Sequence, residues 1–193
     1  FMAALVRNEG RDMNGETKLK ACLIISLFLL GIACSAAAGR TIYVDNYGTV
    51  DFNKIQAAIN DANNGDTIIV ADGVYTGPGN RDIDFKGKAI TVRSENGPED
   101  CIIDCNGTET DRHRGFYFHS GEDANSAIIG FTITNGYGPL VWISTMPEYF
   151  ASLGGAILCW ESGPTISSCI ISDNVAGKDV DLGGVGLGGG IAC

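Results

Sequence analysis

From Thr41 onward the chain runs in short alternations of apolar and polar residues, broken by Gly, Asn and Asp. Thr41-Ile42-Tyr43-Val44-Asp45 is the first such run, and its β-branched, period-two pattern predicts a strand. The same texture predicts strands at residues 67–70 (closing at Asp72-Gly73), 82–85, 89–93, 101–105, 115–119, 127–134, 156–159, 165–171 and 190–193. Most have the common strand length of about 4–6 residues. One stretch keeps a different period. Phe52, Ile55, Ile59 and Ala62 fall on one face of a 3.6-residue repeat and predict a helix. Asp51 is placed to cap its start, and Asn64-Gly65 to end it in a left-handed turn. A helix apolar on one side suits covering the open end of stacked strands, where unpaired backbone would otherwise invite aggregation.

The runs repeat. Gly154-Gly155-Ala156-Ile157-Leu158-Cys159 returns 34 positions later as Gly188-Gly189-Gly190-Ile191-Ala192-Cys193, and residues 165–174 echo 127–136 at an offset of 38. With no second helical pattern between them, βαβ units are excluded, and the period matches three short strands plus turns per coil of a solenoid. The expected fold class is all-β: a solenoid of stacked parallel strands with an N-terminal capping α-helix. Its inward ladders are read as Ile128/Ile166, Phe131/Cys169, Ile133/Ile171, Ile157/Ile191 and Cys159/Cys193. Gly136 aligns with Asn174, which predicts a left-handed corner there. The extra length at 137–153 and 176–185 is expected to project from the stack as loops. Because Cys193 falls at the end of a repeat, residues 39–193 are expected to be the cap and first coils of a longer stack.

Composition narrows the setting. Of 193 residues, 45% are hydrophobic, enough for a core, and the 27 glycines cluster at the repeat borders. A net charge of −10 argues against a nucleic-acid partner, whose phosphates need a basic face. Lys18 and Lys20, the apolar run 21–32 and Ala36-Ala37-Ala38 form a signal-peptide pattern over residues 1–38, cleaved near Ala38. Residues 1–12 precede Met13 and are read as non-native. The run is too short to span a bilayer, which takes about 20 apolar residues, so no membrane span is expected after cleavage. The protein is expected to be secreted or at the cell surface. Lipoprotein anchoring at Cys34, through Gly31-Ile32-Ala33-Cys34, is the secondary reading. Five cysteines then remain: Cys101, Cys105, Cys159, Cys169 and Cys193. None forms a C-x-x-C pair, so a zinc or redox site is unsupported. Cys159 and Cys193 are read as stacked reduced thiols.

Gly-Gly-x-Ile-x-Cys followed by Pro-Thr-Ile-x-x-Cys-x-Ile-x-x-Asn resembles the repeats of bacterial right-handed parallel β-helix proteins of the pectin-lyase-like superfamily. The front end resembles it too, through Phe52-x-x-Ile55-Gln56-x-Ala58-Ile59, Gly65-Asp66-Thr67-Ile68-x-Val70 and Asp72-Gly73-Val74-Tyr75. The resemblance covers roughly residues 41–193. It implies a carbohydrate-active protein: in the lyases, Asp/Glu clusters hold Ca²⁺ while Arg or Lys removes a proton, and in the esterases and hydrolases two or three Asp do the work. Such groups are expected on coils beyond Cys193, so no catalytic constellation is assigned and whether the protein is an enzyme stays open. If it is one, a polysaccharide lyase, esterase or glycoside hydrolase is implied.

Asp82 and Asp84 share one strand face and could offer oxygens to Ca²⁺, as could Asp179 and Asp181 in a Gly-rich loop. The bland reading of both pairs is a solvated acidic surface, with Ile83 and Phe85 pointing inward. No metal site is assigned. Arg112-His113-Arg114 is the one basic cluster. His113 or His119 could serve as a general base, but no partner is fixed beside either and the cluster reads as an exposed turn. Asn106-Gly107-Thr108 reads as a turn. The ligand candidates are aromatic: Trp142 and Tyr149, beside Phe150 in the longest insertion, and Trp160 after a repeat strand. Aromatic faces of this kind stack on sugar rings, or fold a loop onto the stack. Two functions remain: an exported protein that binds, or also processes, polysaccharide or a cell-surface glycan through groove and loops, and a non-catalytic surface scaffold or adhesin.

Overall fold

The computed structural model describes residues 38–143, 149–177 and 185–193, with backbone alone at 142, 143, 149, 150 and 185. Nearly all of the expected leader, Cys34 included, therefore lies outside the described residues. The strands are β1 (Thr41–Val44), β2 (Thr67–Val70), β3 (Gly73–Thr76), β4 (Ile83–Asp84), β5 (Thr91–Ser94), β6 (Cys101–Asp104), β7 (Phe116–Phe118), β8 (Ala127–Ile129) and β9 (Thr132–Thr134). They continue with β10 (Leu140–Ile143), β11 (Tyr149–Leu153), β12 (Ile157–Cys159), β13 (Thr165–Ser167), β14 (Ile170–Ser172), β15 (Val185–Leu187) and β16 (Ile191–Ala192). The helix, α1 (Ile55–Asp61), stands between β1 and β2. No helix among the described residues is long and apolar enough to cross a membrane.

Three sheets are wholly parallel. The first runs β1-β2-β5-β8-β13, the second β3-β6-β9-β14 and the third β4-β7-β12-β16. From β2 onward the chain visits first, second and third sheet in rotation, and each strand pairs with its counterpart one circuit later. Period-two alternation then sends one row of each sheet inward. The first sheet contributes Ile42, Ile68, Val92, Ile128 and Ile166 in register, the second Tyr75, Ile103, Ile133 and Ile171, the third Ile83, Phe116, Ile157 and Ile191. A fully buried side chain of this kind stabilises by about 1.5–3 kcal/mol. Phe85, Phe116, Phe118 and Phe131 join the rows, with the Phe85 and Phe118 ring centres 4.9 Å apart. The expected ladders Ile128/Ile166, Ile133/Ile171 and Ile157/Ile191 are all present.

Several expectations are corrected. The runs 127–134 and 165–171 are each two strands, because the backbone turns a corner at Gly130 (φ 79) and Ser168 (φ 52). The next corner is left-handed at Asn135 (φ 54) and Asp173 (φ 55), one residue before the expected Gly136 and Asn174. Gly136 is glycine for another reason: a Cβ there would collide with the Gly155 carbonyl. Asn174 instead bridges layers, accepting the Gly136 N–H at 2.8 Å and donating to the Ile133 carbonyl at 2.8 Å. The insertions are not plain loops. β10 and β11 form an antiparallel hairpin, and β15 pairs in parallel with β11, making a fourth sheet. β3 had no counterpart among the predicted strands, since Asp72-Gly73 reads as a stop.

The cap is built differently from its prediction. Asp51 does not cap α1; its carboxylate accepts the Tyr43 N–H at 2.8 Å. The first-turn amides of α1 are capped from a distant turn, Ile55 N–H by Asn80 Oδ1 at 3.1 Å and Gln56 N–H by the Gly79 carbonyl at 2.9 Å. Gln56 also seals β4, the edge of the third sheet. Its Oε1 accepts the Asp84 N–H at 2.8 Å and its Nε2 donates to the Asp84 carbonyl at 2.9 Å, as a neighbouring strand would. At the matching edge of the second sheet, Asn46 and Asn80 donate to the Val74 and Thr76 carbonyls. Side chains thus occupy backbone groups that would otherwise template another strand.

Candidate functional site

The outward row of the third sheet aligns Asp84, Tyr117, Leu158 and Ala192. Alternation along β7 puts Tyr117 and His119 on this face, and Trp160 follows Cys159 at the end of β12, its N–H bonded to the Phe118 carbonyl at 2.8 Å. Leu158 points outward yet is buried, because Ala151 and Leu153 of the hairpin pack over it, with Tyr117, Val141 and Ala192 around them. The hairpin therefore makes a wall beside the sheet face.

Between wall and sheet lies a cavity of about 380 Å³ lined by Asp82, Arg114, Tyr117, Pro139, Leu140 and Val141. Arg114 is 3% exposed, which overturns the reading of residues 112–114 as an exposed turn. Its guanidinium centre lies 4.9 Å from the Tyr117 ring centre, and its Nη1 is buried with no hydrogen-bond partner among the described residues. Among the described residues it makes no ion pair. Burial pushes the guanidinium down to about 10, opposed by Tyr117 and Asp82, so it stays charged at neutral pH. A buried donor left unsatisfied costs about 1–3 kcal/mol, more when charged.

His113, placed by the sequence without a partner, has one on each ring nitrogen: Nδ1 is 2.5 Å from Asp82 Oδ2 and Nε2 is 3.0 Å from Asp111 Oδ1. Asp82 sits in a left-handed conformation (φ 51), and its Oδ1 accepts the Arg114 N–H at 3.0 Å. Its oxygens therefore hold the 111–114 segment against the sheet. Asp84 Oδ1 accepts the Lys86 N–H at 2.7 Å, and Oδ2 lies 3.5 Å from His119 Nε2. The His119 ring stacks on Tyr117 at 4.0 Å. Among the described residues, no group of three or more His, Cys, Asp or Glu is placed to hold a metal ion. Asp179 and Asp181 lie outside the described residues.

Of the aromatic candidates, Trp160 is 39% exposed and lines a second cavity of about 380 Å³ with Leu153, Leu158, Leu187 and Ile191. Trp142 and Tyr149 belong to paired strands, opposite Phe150 and Ile143, and their side chains lie outside the described residues. Tyr117 escaped the sequence reading as a site residue, and Arg114 was read only as part of an exposed basic turn. The alternation that puts Asp84 outward in β4 also puts Tyr117 outward in β7, so that signal was available; the burial of Arg114 had none in the pattern of the chain. Cys101, Cys105 and Cys159 are buried free thiols, each pushed up to about 12 by burial, with Cys193 adding to the shift of Cys159.

No protein-family model matches the chain, and no curated protein or solved structure matches it.

Proposed function

We propose that the chain is an exported right-handed parallel β-helix protein, similar to the pectin-lyase-like superfamily, that binds polysaccharide on the outer face of its third sheet. The observation that carries this reading is Trp160, 39% exposed at the end of β12 and next to the row that holds His119, Tyr117 and Asp84. An exposed indole beside polar side chains offers what a sugar ring uses: a flat apolar face, with donors and acceptors at its rim. The rotation of strands through three parallel sheets supports the β-helix reading, since it repeats such a row once per circuit.

Affinity electrophoresis of the full chain through gels containing plant and algal polysaccharides tests the proposal. Retardation is expected with at least one acidic or neutral glycan, and Trp160→Ala weakens it roughly three- to tenfold, the worth of one aromatic contact. Mobility unchanged in every gel overturns glycan binding and leaves the scaffold reading. Absorbance of unsaturated sugar products, followed with and without a chelator, separates a lyase from a binding protein.

A further inference from the structure

The cavity beside the hairpin has a composition unlike a sugar groove. Tyr117, Pro139, Leu140 and Val141 offer apolar surface, and among the described residues only Asp82 and Arg114 line it with charge. Asp82 has both oxygens engaged, with the Arg114 N–H at 3.0 Å and with His113 Nδ1 at 2.5 Å. Arg114 is the opposite case: buried, charged, and with Nη1 unpartnered among the described residues. Buried polar groups in native folds are almost always satisfied, and an orphaned one asks for a partner. The planar guanidinium fork matches a carboxylate in shape and charge. A sugar ring against these walls would leave its hydroxyls without partners, whereas an apolar body would lose nothing. At about 380 Å³ the cavity falls within the range of small-molecule sites.

We propose that this cavity binds a small carboxylate with an apolar body, such as an aromatic acid. The carboxylate sits on the Arg114 guanidinium, and the body packs against Tyr117, Pro139, Leu140 and Val141. This site shares Tyr117 with the outer face of the third sheet but does not include Trp160, so benzoate binding is read separately from glycan binding.

The probe is benzoate, titrated calorimetrically into the full chain at neutral pH, with benzyl alcohol, galacturonate and inorganic sulfate in parallel. Saturable one-to-one binding of benzoate is expected. Benzyl alcohol, which keeps the body and lacks the charge, should bind at least roughly tenfold more weakly, as should galacturonate, which keeps the charge on a polar body. Arg114→Gln should lose binding by a similar factor. Leu140→Trp should fill the cavity and abolish binding while leaving Arg114 and the circular dichroism spectrum intact, so it decides the matter should Arg114→Gln not fold. Absence of saturable benzoate binding overturns the proposal. So does equal binding of benzyl alcohol or galacturonate, competition by sulfate as strong as by benzoate, or undiminished binding in either folded variant.

Discussion

Glu122 is an ionisable residue at 3% exposure, in the turn that follows β7. It ties together residues far apart in the chain: Oε1 accepts the Gly87 N–H at 2.9 Å, and Oε2 accepts the Ser120 N–H at 2.8 Å and the Ser162 hydroxyl at 2.9 Å. Burial by itself would push the carboxyl up, but the donated bonds outweigh it and hold the group below the usual carboxylate range. Because the folded value is depressed, the stabilisation is present above the ordinary value of 4.5 and is lost as pH falls through the folded value. Glu122→Gln keeps the shape and replaces one acceptor by a donor, so it should cost about 1–3 kcal/mol in urea unfolding at pH 7. The gap between wild type and variant should close as pH drops below 4.5; a gap independent of pH would show that the charge is immaterial. At this scale the sequence was legible where a residue's role depends on its own backbone. The alignment located the corner at Asn135 and Asp173 to within one position, whereas those at Gly130 and Ser168 were hidden inside continuous apolar runs. Glu122 and His113 were opaque, because their partners at 87, 162 and 82 are brought near only by the stacking of circuits.

The elements divide in the same way. The period of Phe52, Ile55, Ile59 and Ala62 correctly announced α1, whose buried face is Ile55, Ala58 and Ile59. Its start was misread, since its first-turn amides are capped from residues 79 and 80, while the left-handed turn expected at Asn64-Gly65 is present, with Gly65 at φ 91. A helix of seven residues is too short to persist alone, and its last turn holds no basic residue of its own. The missing cation comes from the turn before β5: Lys88 Nζ donates to the carbonyls of Ile59 at 2.6 Å, Asn60 at 2.9 Å and Ala62 at 2.7 Å. An ammonium has three donors, and all are spent on carbonyls the helix leaves open at its C-terminus. Lys88→Met preserves the aliphatic stem and deletes the head. It should lower unfolding stability by about 1–3 kcal/mol and speed amide exchange in α1 before that in β5. Stability within a few tenths of wild type would mean that solvent serves those carbonyls equally well. The hairpin shows the converse failure. Its residues were assigned to a loop because the insertion breaks the repeat, yet Leu140–Ile143 and Tyr149–Leu153 find each other locally.

Across the whole molecule, the register of the first sheet pairs Thr41 with Thr67, Thr67 with Thr91, Thr91 with Ala127 and Ala127 with Thr165. These circuits differ in length because the turns differ, while the strands stay short and the inward row stays apolar. The repeat was therefore visible only between the later circuits, where turn lengths nearly agree, and the earlier ones showed just alternation. The geometry also sets how stability is distributed. Each inward side chain is covered by the circuits on either side of it, so Ile68, Val92 and Ile128 are fully buried, as are Ile103, Ile133, Phe116 and Ile157. In the circuit formed by β13, β14 and β16 the equivalent positions are less covered: Ile166 and Ile171 are partly buried and Ile191 is 39% exposed. The opposite end carries α1 and the side-chain seals of Gln56, Asn46 and Asn80. In a stack where each layer touches only its neighbours, opening costs least at the layer with least cover. Hydrogen exchange of this chain, followed by mass spectrometry on peptides, should thus show β13, β14 and β16 exchanging first. Protection should rise through β8, β9 and β12 to its highest in β2, β5, β6 and β7. Uniform protection across all the circuits would contradict this, and would mean that the sheets open as a single cooperative unit despite their unequal burial.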